Sequence, residues 1–113
     1  MRLICALLSA ILPACAMAEP WVPLPGTEIG AAFAARTLVM PGNGTTFEFR
    51  ADGRLDTERD GLREAGHWRV AGDRVCVRLG FDDEICAMVE RDRIDLRLTG
   101  DEGDQVMLRY IDL

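Results

Sequence analysis

Lysine is absent from this 113-residue chain, histidine occurs once, as His67, and the single serine is Ser9. These gaps remove whole classes of chemistry. Without Lys there is no Schiff-base nucleophile, and beyond Ser9 there is no seryl nucleophile for a triad. His67 has no companion at metal-ligand spacing and alternates with Trp68 and Val70, so it reads as a surface residue rather than a general base or zinc ligand. No cofactor or metal site is expected. Long apolar runs are lacking too: the longest, from Leu3 to Leu12, stops at Pro13, far short of the roughly 20 residues a membrane-spanning helix needs. Basic residues are outnumbered, 13 against 19 acidic, for a net charge of −6, which argues against nucleic acid or an anionic membrane surface as partner.

The first residues set the expected compartment. Met1-Arg2 is a short positive region, the apolar run follows, and Ala16-Met17-Ala18 is a small-x-small cleavage pattern. Together they predict a secretory signal peptide over residues 1–18, with the mature chain starting at Glu19. Leu12-Pro13-Ala14-Cys15 also resembles a lipoprotein box, in which Cys15 would carry a lipid anchor. Proline beside the small residue departs from that pattern, so cleavage near Ala18 is the expected route. Both routes lead to the periplasm or the exterior, where disulfides persist.

The stretch from Gly66 to Val89 organises the rest. Trp68 and Val70, then Val75, Val77 and Leu79, then Ile85, Ala87 and Val89 fall at alternate positions, the period of strands with one buried face. Ala71-Gly72-Asp73 and Gly80-Phe81-Asp82 are the turns between them. Setting Cys76 opposite Cys86 also puts Val77 against Ile85, Val75 against Ala87 and Arg78 against Glu84. One face is then wholly apolar, and the other carries an expected Cys76–Cys86 disulfide and an ion pair. Trp68 is expected in the core.

Residues 19–26 hold Pro20, Pro23 and Pro25, which forbid a helix and favour an extended arm presenting Trp21, Val22 and Leu24. That arm either recognises a partner through those three side chains or folds back to cover one end of the domain. Thr27 is expected to cap a short helix that buries Ile29 and Phe33, four apart. From Thr37 onward the pattern is β. Strands are predicted over 37–40, 45–50 and 54–58, then a mobile charged connection over 59–65, the central three strands, a strand over 93–99 with Ile94, Leu96 and Leu98 inward, and a last one from Gln105. Residues 27–113 are thus expected to form one small, mainly β domain. Its strands, about eight, should form an antiparallel meander closing into a barrel or strongly curved sheet, with one short N-terminal helix.

Thr27-Glu28-Ile29, Arg36-Thr37-Leu38, the turn from Phe49 to Arg54, and Gly66-x-Trp68-x-Val70-x-Gly72-Asp73-x-x-Cys76 with Cys86 ten residues on resemble a group of small secreted proteins of Gram-negative bacteria. That group has no established activity, and the likeness implies fold and compartment. Its members carry an aromatic after the second cysteine, where this chain has Ala87. Trp68-x-Val70-Ala71-Gly72-Asp73 followed by Cys76 is also similar to a strand and turn of the periplasmic inhibitors of alkaline metalloproteases. There the proline-rich arm would correspond to a protease-blocking trunk. In that family the disulfide reaches back to an early strand instead of to a position such as Cys86.

Carboxylates cluster at Asp82-Asp83-Glu84 and Asp101-Glu102-Gly103-Asp104, both read as solvated turns. A hydrolase using carboxylates alone has no supporting signal. The expectation is therefore a non-enzymatic envelope protein that binds another protein as regulator, inhibitor or accessory subunit. A metalloprotease inhibitor using the arm is the first alternative. The second is a carrier of a small hydrophobic ligand, which would require an internal void of about 300 Å³ or more.

Overall fold

The structure is a computed structural model and describes residues 20–112. The expected signal peptide, Cys15 and Glu19 lie outside the described residues. A two-residue strand, β1 (Val22–Pro23), precedes the helix α1 (Gly26–Phe33). Eight strands follow: β2 (Arg36–Val39), β3 (Thr46–Phe49), β4 (Arg54–Arg59), β5 (Leu62–Ala71), β6 (Arg74–Leu79), β7 (Ile85–Asp92), β8 (Asp95–Thr99) and β9 (Gln105–Tyr110). Each pairs antiparallel with the next, and β2 pairs with β9, so β2 to β9 close into the expected eight-stranded barrel.

The closing seam is short, with Leu38 opposite Tyr110 and Val39 opposite Arg109. It is extended by hydrogen bonds at the end of the chain. The Ile111 N–H donates to the Thr37 carbonyl at 3.2 Å, and the Asp112 carboxylate accepts from the Thr37 N–H at 2.9 Å and pairs with Arg36 at 3.3 Å. The Thr37 N–H, with Arg36 behind it, holds the Asp112 carboxyl below the usual carboxylate range. Asp56 is held low by the Arg50 hydrogen bond and Glu84 by that of Arg69. A depressed carboxylate contributes stability that is complete above the pKa of the unfolded chain and is lost as pH falls through the folded value. The melting temperature should therefore be flat near neutrality and decline below about pH 4. Asp112→Asn should lower the plateau and flatten part of the decline. A decline of unchanged depth in that variant would remove Asp112 from the account.

The inner face follows the predicted alternation. Leu38, Phe49, Leu55, Val75, Val89, Leu96, Leu108 and Tyr110 are buried, and Trp68 is 9% exposed. α1 closes one end of the barrel, pressing Ile29 and Phe33 inward as their spacing predicts. The Phe33 ring lies 4.7 Å from Phe49 and 6.2 Å from Trp68, and Phe49 meets Trp68 edge-on at 5.6 Å. Polar atoms near this core are satisfied: Trp68 Nε1 donates to the Arg50 carbonyl at 2.7 Å and the Tyr110 hydroxyl to the Ala32 carbonyl at 2.5 Å.

Several local expectations are corrected. Thr27 does not cap α1. The cap position is Pro25, and the Gly26 N–H is taken by the Asp73 carboxylate at 2.9 Å, an acceptor supplied 47 residues away by the β5–β6 turn. Residues 59–65 are no mobile connection: β4 and β5 are paired to Arg59↔Leu62 around a tight Asp60-Gly61 turn. Both turn residues have positive φ, 53° and 83°, the conformation for which Asp-Gly is suited. Ile94 sits in the β7–β8 turn and is partly exposed, because β8 begins only at Asp95. Ile85 keeps its register opposite Val77 yet is 62% exposed, since it lies at the barrel rim. Glu84 takes Arg69 rather than Arg78, through two 2.7 Å hydrogen bonds.

Candidate functional site

The disulfide forms as expected. Cys76 and Cys86 are directly opposed on β6 and β7, with Cα atoms 4.0 Å apart. The bridge lies on the outer wall, where the Arg69–Glu84 pair reaches across β6: Arg69 is opposite Cys76 on β5, and Glu84 immediately precedes β7. Cys76 is fully buried there. Glu84 and the two sulfurs cluster within 4.8 Å, but both sulfurs are bonded to each other and offer no thiolate. The bridge has a structural role. Cross-linking residues 10 apart should contribute up to about 3 kcal/mol, so Cys76→Ala should lower the melting temperature while leaving the fold intact. Thiol titration of the unfolded, unreduced protein should find positions 76 and 86 unreactive; free thiols at both would contradict the bridge.

The three side chains of the arm do not converge. Leu24 packs against the core, and its N–H donates to the Val89 carbonyl at 2.9 Å. Val22 is exposed. Trp21 lies under the Arg97 guanidinium, 4.6 Å from the ring centroid, and Arg97 is also paired with Glu90 at 2.7 Å. The register explains this arrangement. β6 covers one edge of β7 up to Met88, and β1 continues along β7 opposite Glu90 and Arg91. The arm is thus a strand completing the wall, and the end it adjoins is plugged by α1 rather than by Trp21.

The two ends of the barrel differ. The connections after β2, β4, β6 and β8 all fall at the end opposite α1, and among the described residues no element caps that end. Inside it is an apolar cavity of about 230 Å³. Phe49, Val75, Ala87 and Leu108 form its floor, Met40, Phe47, Val77 and Leu98 its wall, and Ile85 and Val106 its lip. The floor is the far side of the aromatic cluster that α1 seals, so the helix fills one half of the interior and leaves the other accessible.

Exposed apolar side chains also stand on the connections at this end. Leu62, 78% exposed, is at the tip of the β4–β5 hairpin, which projects because β3 pairs only to Glu58 and β6 only from Gly66. Phe81 is fully exposed in the β6–β7 loop. Sequence reasoning treated Phe81 as a turn residue and put Leu62 in a loop. The available signal was a large aromatic in a Gly-Phe-Asp-Asp turn.

The surface carries other depressions. One of about 510 Å³ lies on the outer wall, lined by Glu48, Arg50 and Asp56. Their charges are spent on one another, with Arg50 3.3 Å from Glu48 and 2.8 Å from Asp56. His67 is exposed on that wall between Arg54 and Arg78 on the neighbouring strands. Comparison with family models, curated proteins and solved structures finds no match to this chain.

Proposed function

We propose that this is a non-enzymatic protein of the cell envelope that engages another protein through the open end of its barrel. The observation that carries the reading is the apolar cavity at the open end, with Ile85 on its lip and Leu62 and Phe81 exposed on the connections of the same end. Large apolar side chains exposed together around a concavity mark an interaction surface. A cavity of about 230 Å³ is below the roughly 300 Å³ at which small-molecule pockets begin, and suits one inserted side chain better than a carried ligand.

The arm supports the domain rather than serving as an inhibitory trunk. Its strand pairing, the Leu24 packing and the Trp21–Arg97 stack tie it to the barrel wall. Deleting residues 19–25 should lower the melting temperature by roughly 10 °C, from lost burial of Leu24 and Trp21. An unchanged melting temperature would return the arm to consideration as a recognition element.

The test of the function is a surface variant. Leu62→Ser, Phe81→Ser and Ile85→Ser combined should leave the fold within a few degrees of its normal melting temperature while abolishing capture of the partner that the unaltered chain retains. Retained capture by this variant would refute the open end as the binding surface.

A further inference from the structure

Charge around the mouth narrows the kind of partner, given the reading that the mouth is a protein-binding surface. Four connections surround it. Residues 40–45 carry no charge, whereas the β4–β5 turn has Asp60, the β6–β7 loop Asp82, Asp83 and Glu84, and the β8–β9 loop Asp101, Glu102 and Asp104. Arginines reach three of these acids: Arg59 pairs with Asp60, Arg69 with Glu84 and Arg74 with Asp101. No ion pair among the described residues engages Asp82, Asp83, Glu102 or Asp104, and Asp104 also lines the cavity. On the side of the β6–β7 and β8–β9 loops the apolar mouth is thus bordered by carboxylates that lack a counter-charge of their own, while Arg59 and Arg63 lie on the β4–β5 side.

We propose that the mouth receives one large apolar side chain of a partner segment whose flanking residues are basic. The apolar side chain would enter between Phe47, Val77, Leu98 and Val106, while its cationic neighbours lie over the Asp82-Asp83 and Glu102-Asp104 loops. An acidic flank would bring like charges together and be rejected. A neutral apolar molecule would fill the cavity and leave the rim unused. Attraction across an open rim acts mainly on encounter and is screened by salt, so the preference should be strong at low ionic strength and weak at high.

The probes are three short synthetic peptides: one phenylalanine flanked by arginines, the same flanked by glutamates, and the arginine peptide with alanine for phenylalanine. Each is titrated into the isotope-labelled protein, and the amide signals of Phe47, Val77, Leu98 and Val106 are followed. The arginine–phenylalanine peptide should shift these signals and bind at least about tenfold more tightly than the glutamate peptide. The alanine peptide should leave them nearly unmoved. In the variant Asp82→Asn, Asp83→Asn, Glu102→Gln, which alters exposed loop residues, the preference for arginine over glutamate should collapse. Equal binding of arginine and glutamate peptides at the mouth would overturn the charge inference and leave the protein-binding reading standing. If no peptide moves these signals, both readings fail. A neutral naphthylamine dye then locates the fault: filling of the mouth would show a small-ligand cavity, and no filling would show an inert one.

Discussion

Trp68→Ala is expected to leave little soluble, folded protein. The indole is 9% exposed, packs against Phe33 and Phe49, and donates its N–H to the Arg50 carbonyl, so it joins the helix, β3 and the β3–β4 turn in one cluster. Removing a buried Trp side chain costs about 3–5 kcal/mol, close to the whole stability of a domain this small. Trp68→Phe separates the two contributions. It keeps a ring in the cluster and loses the donor, and should cost about 1 kcal/mol for the lost hydrogen bond, since the Arg50 carbonyl keeps the Gly53 N–H at 3.0 Å. Chemical denaturation of both variants measures this. A well-behaved Trp68→Ala protein of normal stability would mean that the barrel's inner and outer faces are exchanged.

Gly66→Ala should be nearly as damaging, for a different reason. Gly66 lies where β5 passes from the projecting hairpin into the barrel wall, opposite Leu55 on one side and Leu79 on the other. A Cβ there would fall onto the Arg78 carbonyl oxygen and within 3.0 Å of the Leu79 Cα. Both are main-chain atoms, so no side-chain rotation relieves the clash. The β5–β6 ladder must part, at a cost of about 3 kcal/mol or more. Gly30→Ala is the control, since a Cβ at Gly30 meets nothing within 4 Å; it should be neutral or stabilising by a few tenths of a kcal/mol in the helix. If Gly66→Ala melted like Gly30→Ala, the close approach of β5 and β6 would be wrong.

The parts of this fold that were legible in the sequence are those fixed by local pattern. Alternation placed Trp68, Val75 and Val89 inside, and requiring Cys76 to meet Cys86 fixed the β6–β7 register and with it Val75↔Ala87 and Val77↔Ile85. Helical spacing found Ile29 and Phe33. Interactions between distant segments escaped. The helix N-terminus is satisfied by Asp73, and no scan of the residues around Thr27 points there. The partner of Glu84 depends on which long Arg side chain reaches it across the curved wall, and Arg69 does so from the far side of β6. The candidate site was the least legible part. Alternation predicts that Val77, Leu98 and Val106 face inward but not how far α1 fills the interior. The mouth exists because the helix packs to the depth of Phe49 and no further. Asp60-Gly61 is an overlooked local signal, whose turn chemistry outweighed the charged composition around it.

The central claim is that the open end is the working surface, and photo-crosslinking in living cells tests it most directly. A photoreactive phenylalanine analogue is placed singly at Leu62, Phe81 or Val22, all exposed and the last on the arm. The account predicts that positions 62 and 81 form an adduct with one and the same protein on irradiation and that position 22 forms none. An adduct at position 22, with none at 62 and 81, would contradict it.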